Sequence, residues 1–287
     1  MEHFFESNYK KLGVLPASAQ TLAEINADRY RPYIKAMLLP AGYSLTVDFR
    51  QFTTTGPTLF FLNVNQFLQI DSAGEEEGFF LYYNRDFYCI QIHDEEVSCD
   101  GFLFNNIYTM PMTLLPEAEA ARVLEAFRNM VDELEASESS REEMIRTYLK
   151  QVIIRATRLW KRQQLGGMND TPADVAFLRD FSRLVEIHFR EKHSVMDYAD
   201  LLAVAPKTLS KKFNRLQLGQ PNDIIKDRIL LEAKRLLAHS SLSIKEIGYD
   251  LGYEDPAYFN RLFSQKIGAT PAAFRRRYRA EEQEAEA

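Results

Sequence analysis

The chain has 287 residues, 46% apolar and 26% charged, which excludes wholesale disorder and fibrous repeats and leaves room for two domains. No stretch approaches the roughly 18 uninterrupted apolar residues of a membrane span, and the N-terminus lacks a basic segment followed by an apolar one; a cytoplasmic protein without a membrane partner is expected. The net charge of −6 conceals a division: residues 1–170 carry 16 Lys and Arg against 24 Asp and Glu, residues 171–279 carry 19 against 13, and the last eight residues add four acids. That asymmetry suggests a polyanion-binding segment joined to an acidic one. The two cysteines, Cys89 and Cys99, exclude a disulfide framework and a zinc site built mainly from cysteine.

From about Pro32 to Met112 the chain is rich in aromatic and β-branched residues and is interrupted by Gly, Pro and Asn at short intervals, a strand signature. Thr58–Ile70 and Gly78–Ile92 flank the polar stretch DSAGEEE and predict a hairpin, with Glu75–Glu77 as a solvated turn. Shorter strands are expected near Ala36–Leu39, Ser44–Phe52 and Gly101–Asn105. With no helical segments between them, these strands predict a small antiparallel barrel or sandwich.

After Pro116 the period becomes helical. Val123, Phe127, Val131 and Leu134 share one face, Ser137–Ser140 breaks the pattern, and Ile145, Leu149, Val152, Ala156 and Leu159/Trp160 form a second apolar stripe that ends at Gly166-Gly167. The two helices can pack within the chain or against a second copy. GGMND reads as a hinge, and Thr171-Pro172 with Asp174 as a cap, a first-turn proline and a first-turn acid.

Beyond residue 190 one pattern occurs twice. Pro206, Leu209, Phe213 and Pro221 recur fifty residues on as Pro256, Phe259, Phe263 and Pro271; Ser194, Ala199 and Gly219 recur at forty-nine as Ser243, Gly248 and Gly268. Two copies imply a duplicated supersecondary unit. Ser243 with Glu246 is a capping-box pattern, opening a helix that stops near Gly252, and Asp255-Pro256 starts the next; Ser194 with Asp197 and then Pro206 repeat the arrangement. Helix, short turn, and a second helix with a polar outer face is the helix-turn-helix pattern. Lys207, Thr208, Ser210, Lys211 and Asn214 on one second helix, and Tyr258, Asn260, Arg261 and Gln265 on the other, are residue types that pair with base edges or reach phosphates. Pro221–Leu237 predicts a connecting helix of about 25 Å, able to hold two such helices about one DNA turn apart. A plain helical bundle with a solvated basic face remains the alternative.

Glu232–Arg275, EAKRLLAHSSLSIKEIGYDLGYEDPAYFNRLFSQKIGATPAAFR, closely resembles the C-terminal half of the DNA-binding domain of the AraC/XylS family of bacterial transcription regulators. The resemblance covers about 44 residues, within a family domain of roughly Asp174–Arg279, with Gly248, Tyr253 and Ala257 where the family usually has Ala, Phe and Ser. It implies that Lys207, Ser210, Lys211, Ala257, Asn260 and Arg261 face bases. Lys212, Lys245, Thr270 and Arg275 are candidates for phosphates, while Phe213, Ile247, Phe259 and Phe263 are core. It further implies an α+β chain: a cupin-like barrel or sandwich over residues 1–115, a helix pair and linker over 116–170 that serves dimerisation, an all-α domain with two helix-turn-helix units over 171–279, and an acidic tail over 280–287. The expected partners are double-stranded DNA, a second copy, a small-molecule effector at the N-terminal domain, and RNA polymerase if the protein activates transcription. No motif identifies effector-binding residues; Phe60, Phe61, Phe79, Tyr82, Phe87 and Tyr88 read mostly as core.

The competing reading is a cupin-type metal-dependent enzyme. Residues 1–170 hold only His3 and His93, with Cys89 and Cys99 as the other soft ligands, and a lone His or Cys in a β core is usually structural. No catalytic triad, phosphate-cradling glycine loop or nucleotide fingerprint is present. No metal, no cofactor and no enzyme activity are expected.

Overall fold

A hairpin begins the chain. β1 (His3–Ser7) and β2 (Lys10–Ala17) pair antiparallel with Ser7 opposite Lys10, so Asn8 and Tyr9 alone make the turn, both at positive φ (47° and 67°). Positive φ at both central positions suits the twist of paired strands. Asn is tolerant of that conformation and Tyr is not, and Asn84 compensates: its Nδ2 donates to the Tyr9 carbonyl and its Oδ1 accepts from the Lys11 N–H at 2.9 Å. The computed structural model describes all residues except 65, 89–102, 105–111, 137, 166–171, 217–218 and 286–287. The chain divides into two units, Met1–Asn169 and Asp170–Ala287.

In the first unit, a short helix α1 (Leu22–Ile25) and a 3₁₀ turn (Asp28–Tyr30) lead into β3 (Ile34–Leu39), β4 (Ser44–Val47), β5 (Arg50–Thr53), β6 (Thr58–Leu62), β7 (Leu68–Ser72), β8 (Gly78–Tyr83) and β9 (Met112–Leu114). One antiparallel sheet has the order β1-β2-β8-β3-β6-β9 and a second the order β5-β4-β7. Leu15, Met37, Leu39, Phe60, Leu62 and Phe80 of the larger sheet pack with Leu45, Val47, Leu68 and Ile70 of the smaller one in a single core. β3 and β6 are buried at every position, because helix α2 (Glu117–Glu135) packs on the opposite face of the larger sheet, with Phe79 and Phe127 rings 5.4 Å apart. Two sheets facing each other are the sandwich arrangement; among the described residues neither closes into a barrel.

The pairing differs from the sequence expectation. Among the described residues no hairpin joins the 58–70 and 78–92 runs: β8 pairs with β2 and β3, β6 with β3 and β9, and β7 with β4. The run 58–70 breaks where Asn63 Oδ1 accepts from the Val64 N–H at 2.8 Å and Gln66 Oε1 accepts from the Asn63 N–H at 2.7 Å, a turn that moves the chain from one sheet to the other. The 44–52 run likewise splits at Asp48, whose φ is 53°. Glu75–Glu77 is exposed, as expected of a solvated turn. Of the strand expected at 101–105, only 103 and 104 fall within the described residues, where they lie in a turn.

Helix α2 packs against α3 (Arg141–Leu165) inside the first unit. Ile145, Leu149, Val152, Ala156, Leu159 and Trp160 are all buried, as are Val123, Phe127 and Leu134, with Met130 buried in place of the expected Val131. Both stripes are therefore covered within the chain. The second unit runs α4 (Pro172–His188), α5 (Val195–Leu201), α6 (Pro206–Arg215), α7 (Pro221–His239), α8 (Ile244–Asp250), α9 (Pro256–Ile267) and α10 (Pro271–Ala285). The expected hinge GGMND and the Thr171 cap lie outside the described residues. No helix among the described residues is long and apolar enough to cross a membrane.

Candidate nucleic-acid interface

The duplicated sequence builds duplicated geometry. α5 is opened by Ser194, whose Oγ accepts from the Asp197 N–H at 3.2 Å while the Asp197 carboxylate accepts from the Ser194 N–H at 2.9 Å. α8 is opened the same way, with Ser243 Oγ accepting from Glu246 N–H at 3.2 Å and Glu246 accepting from Ser243 N–H at 2.7 Å. Each reciprocal cap satisfies two N–H groups that a helix start would leave unpaired. The turns close alike as well: Val204 N–H donates to Ala199 and Tyr253 N–H to Gly248, both at 2.9 Å. The residue before each donor is left-handed, Ala203 at φ 53° and Gly252 at φ 79°. Pro206 and Pro256 then occupy the first turn of α6 and α9, where the missing N–H costs nothing, and Asp255 caps α9 by accepting from the Ala257 N–H at 2.8 Å.

Inner faces are buried as expected: Leu209 and Phe213 on α6, Ile247 on α8, and Phe259 and Phe263 on α9 are 0% exposed. Phe181 of α4 meets Phe213 at 4.8 Å, and Phe263 meets Phe274 of α10 at 5.7 Å, so each second helix has its own aromatic anchor. The outer faces carry the candidate base readers. Lys207 and Lys211 on α6 and Ala257 and Arg261 on α9 are exposed, and Ser210 and Asn260 are half-buried. Asn260 donates Nδ2 to the Pro256 carbonyl at 2.9 Å, which leaves its Oδ1 to accept from a base amino group. Tyr258 is half exposed beside Ala257 and lies 5.7 Å from Tyr253.

The four phosphate candidates fall into two kinds. Lys245 is exposed on α8, its ammonium 5.7 Å from the Tyr249 ring, and Thr270 is exposed at the start of α10, its Oγ1 accepting from the Ala273 N–H at 3.2 Å. Lys212 and Arg275 are turned inward. Lys212 lies 3.8 Å from the buried Asp174 and 4.2 Å from the Phe177 ring centre, and Arg275 donates to the carbonyls of Leu237 and Leu242 at 3.0 and 2.7 Å. Burial pushes the Arg275 guanidinium below its ordinary range, with the Arg279 charge adding to the effect.

An ionic cluster within the second unit, beside both helix-turn-helix repeats, has no counterpart in the sequence reading. Glu232 of α7 is 11% exposed and meets Arg190 at 2.8 Å, Arg228 at 3.1 Å and Arg235 at 3.3 Å, while Arg228 also meets Glu186 of α4 at 2.8 Å. Burial alone would raise the Glu232 carboxyl, but the three guanidiniums hold it below its ordinary range. The i, i+3 and i, i+4 spacing of Arg228, Glu232 and Arg235 was visible; the reach to Arg190 and Glu186, over forty residues away, was not. Among the described residues no group of three or more His, Cys, Asp or Glu could hold a metal. Cys89, His93 and Cys99 lie outside them, and His3 sits 3.3 Å from Glu135.

A helix-turn-helix built twice around one connecting helix is a DNA-reading architecture. Residues 198–277 match the helix-turn-helix domain family, and this part of the chain is an AraC/XylS-type domain. The chain is 31% identical over 100 residues to the arabinose operon regulatory protein of Salmonella typhimurium, covering 34% of this chain and 35% of that protein. It is 37% identical over 79 residues to the transcriptional regulator GlxA of Rhizobium meliloti, 28% of this chain and 24% of that one. It is also 29% identical over 106 residues to histidine kinase P4 of Formosa agariphila, 37% of this chain and 8% of the kinase. The chain thus spans about a third or less of each of these relatives. The fatty-acid-bound structure of ToxT from Vibrio cholerae covers 94% of this chain and 96% of its own at 15% identity, with a TM-score of 0.42, a likeness too loose to place residues.

Proposed function

We propose that the protein is a sequence-specific DNA-binding transcription regulator that reads the major groove with α6 and α9. Lys207, Ser210 and Lys211 address bases from α6, and Ala257, Asn260 and Arg261 from α9. Lys245 and Thr270 lie on phosphates; Lys212 and Arg275 join them with whatever donors their internal bonds leave. The observation that carries this reading is the repeated outer face: Lys207, Lys211 and Arg261 are exposed on two second helices that each start at a proline and each follow an identically capped first helix. Polyanion contact by such side chains releases counterions, and Lys and Arg donate to guanine O6 and N7. Selection of bound duplexes from a randomised pool by the purified full-length chain tests it. The expected product is a motif of two half-sites about one helical turn apart; no enriched sequence at any salt concentration contradicts it.

The regulatory part of the proposal concerns the first unit, which we take to be cupin-like and to receive a small effector. A cavity of about 230 Å³ lies there beside Glu2, Lys11, Arg29, Tyr30, Tyr33 and Tyr82. Glu2 accepts from Tyr82 at 2.5 Å and from Tyr30 at 3.2 Å, so a ligand that competes for Glu2 rearranges the N-terminal strand. A switch requires that ligand to favour one arrangement of the protein over another. Dimerisation, if the protein uses it, needs a surface other than the covered stripes of α2 and α3. RNA polymerase is the partner of an activator, and DNA as target places the protein in the cytoplasm. Thermal melting of the full chain against a metabolite panel, followed by Glu2→Gln, tests the effector site; a stabilising ligand that Glu2→Gln binds unchanged excludes this cavity.

A further inference from the structure

Two base-reading helices recognise a composite site only if their separation is fixed. α7 is the covalent spacer, and it packs against α4, α5 and α6 on the side of the first repeat and against α8 and α10 on the side of the second. The structure contains a second link. Arg190, in the turn after α4, donates through Nη2 to Glu232 of α7 at 2.8 Å and through Nη1 to Asp250, the last residue of α8. Its carbonyl faces Gly252 so closely that a Cβ there would lie 1.9 Å from the oxygen, and His193, three residues on, has its ring 4.6 Å from Tyr253. The segment that enters the first helix-turn-helix is therefore fastened directly to the turn of the second. That turn sets the direction in which α9 leaves.

We propose that Arg190 is a positioning residue that locks the two readers at one separation and so makes the protein selective for half-site spacing. The inference rests on the DNA-reading function proposed above. The guanidinium suits the role because its planar fork engages two carboxylates at once, which an ammonium cannot do with fixed geometry. It is also removable without wrecking the fold. The Arg190 side chain is 41% exposed, and Glu232 keeps Arg228 and Arg235 as partners when it is gone, so no buried charge is stranded.

The test uses the full-length chain and duplexes carrying the two half-sites selected by the wild-type protein, with the intervening base pairs shortened or lengthened by one or two, and a duplex carrying one half-site alone. Simultaneous engagement of two linked sites is worth on the order of 10²-fold or more and vanishes when geometry forbids it. Wild type is expected to lose binding by on the order of 10²-fold on altered spacing. Arg190→Ala is expected to bind the single half-site as wild type does, to lose affinity on the native spacing, and to show a flattened spacing profile. Arg190→Lys, which keeps the charge but not the fork, should lie between them. A merely structural role would lower binding to every duplex by one factor and leave the profile unchanged, and that result overturns the proposal. So does a wild-type protein indifferent to spacing. A wild-type protein with no sequence preference at all removes the DNA-reading function itself, a separately recognisable failure.

Discussion

Two glycines four residues apart have opposite meanings. Gly248 lies inside α8, and a Cβ there would meet Phe259 and Pro256 at 3.6 Å, ordinary contact, just as Ala199 is accommodated in the first repeat. Gly252 has φ 79° and faces the Arg190 carbonyl. Gly248→Ala is therefore expected to stabilise the fold by about 0.5–1 kcal/mol through backbone entropy, while Gly252→Ala destabilises it by more than about 1 kcal/mol. Urea denaturation of both variants checks this, and equal signs would contradict it. Among the readers, Arg261→Ala should cost about 1–3 kcal/mol and relax preference at one base pair, whereas Lys245→Ala should weaken all sequences alike. Equal loss on specific and random DNA for Arg261→Ala would move that side chain to a phosphate. His193 adds a pH dependence. Burial holds its imidazole below the ordinary range, against weaker opposing effects of nearby carbonyls and Asp197, and its Nε2 has no hydrogen-bond partner. The neutral form is favoured in the fold, so its contribution is present above the unfolded value of about 6.5 and declines as pH falls toward the lower folded value. Stability measured from pH 7 to 5 should fall less steeply in His193→Gln than in wild type.

Elements were legible in the sequence to the extent that their causes are local. Both capping boxes, the first-turn prolines of α6 and α9, and the apolar faces built on Phe213 and Phe263 depend on residues within a few positions, and the spacing exposed all of them. The β-sheet partners did not yield to the same reading. β8 pairs with β2 and β3, more than forty residues away in sequence, and the aromatic composition of a strand says nothing about which neighbour it takes. β1 and β2 went unread because their turn is Asn8-Tyr9, without the glycine that usually announces such a turn, and its stabilising partner, Asn84, is remote. Arg190 was invisible for the same reason. At the scale of α7, Glu232 contributes stability that is full above about pH 4.3 and is lost as pH falls through its lowered folded value. Glu232→Ala, which leaves Arg228 buried with one carboxylate fewer, should cost about 3–5 kcal/mol in the denaturation of the second unit.

The whole molecule keeps its charges apart, with acids in excess up to residue 170 and bases in excess over 171–279. The net charge of −6 makes non-specific adhesion to DNA weaker than a basic chain would show, so the exposed cations of α6 and α9 must supply the attraction locally. The matched segment is similar to parts of relatives of very different size, including a kinase of which the match covers 8%, so what surrounds it here has to be learned from the first unit itself. The measurement that tests the account most directly is the fluorescence anisotropy of a labelled duplex, selected by the full-length protein, titrated beside a scrambled duplex of the same composition across a salt series. The account predicts that both affinities fall linearly in log salt, and that the selected duplex stays tighter by roughly 10³-fold or more throughout. Equal affinity for the two duplexes at every salt concentration would contradict it.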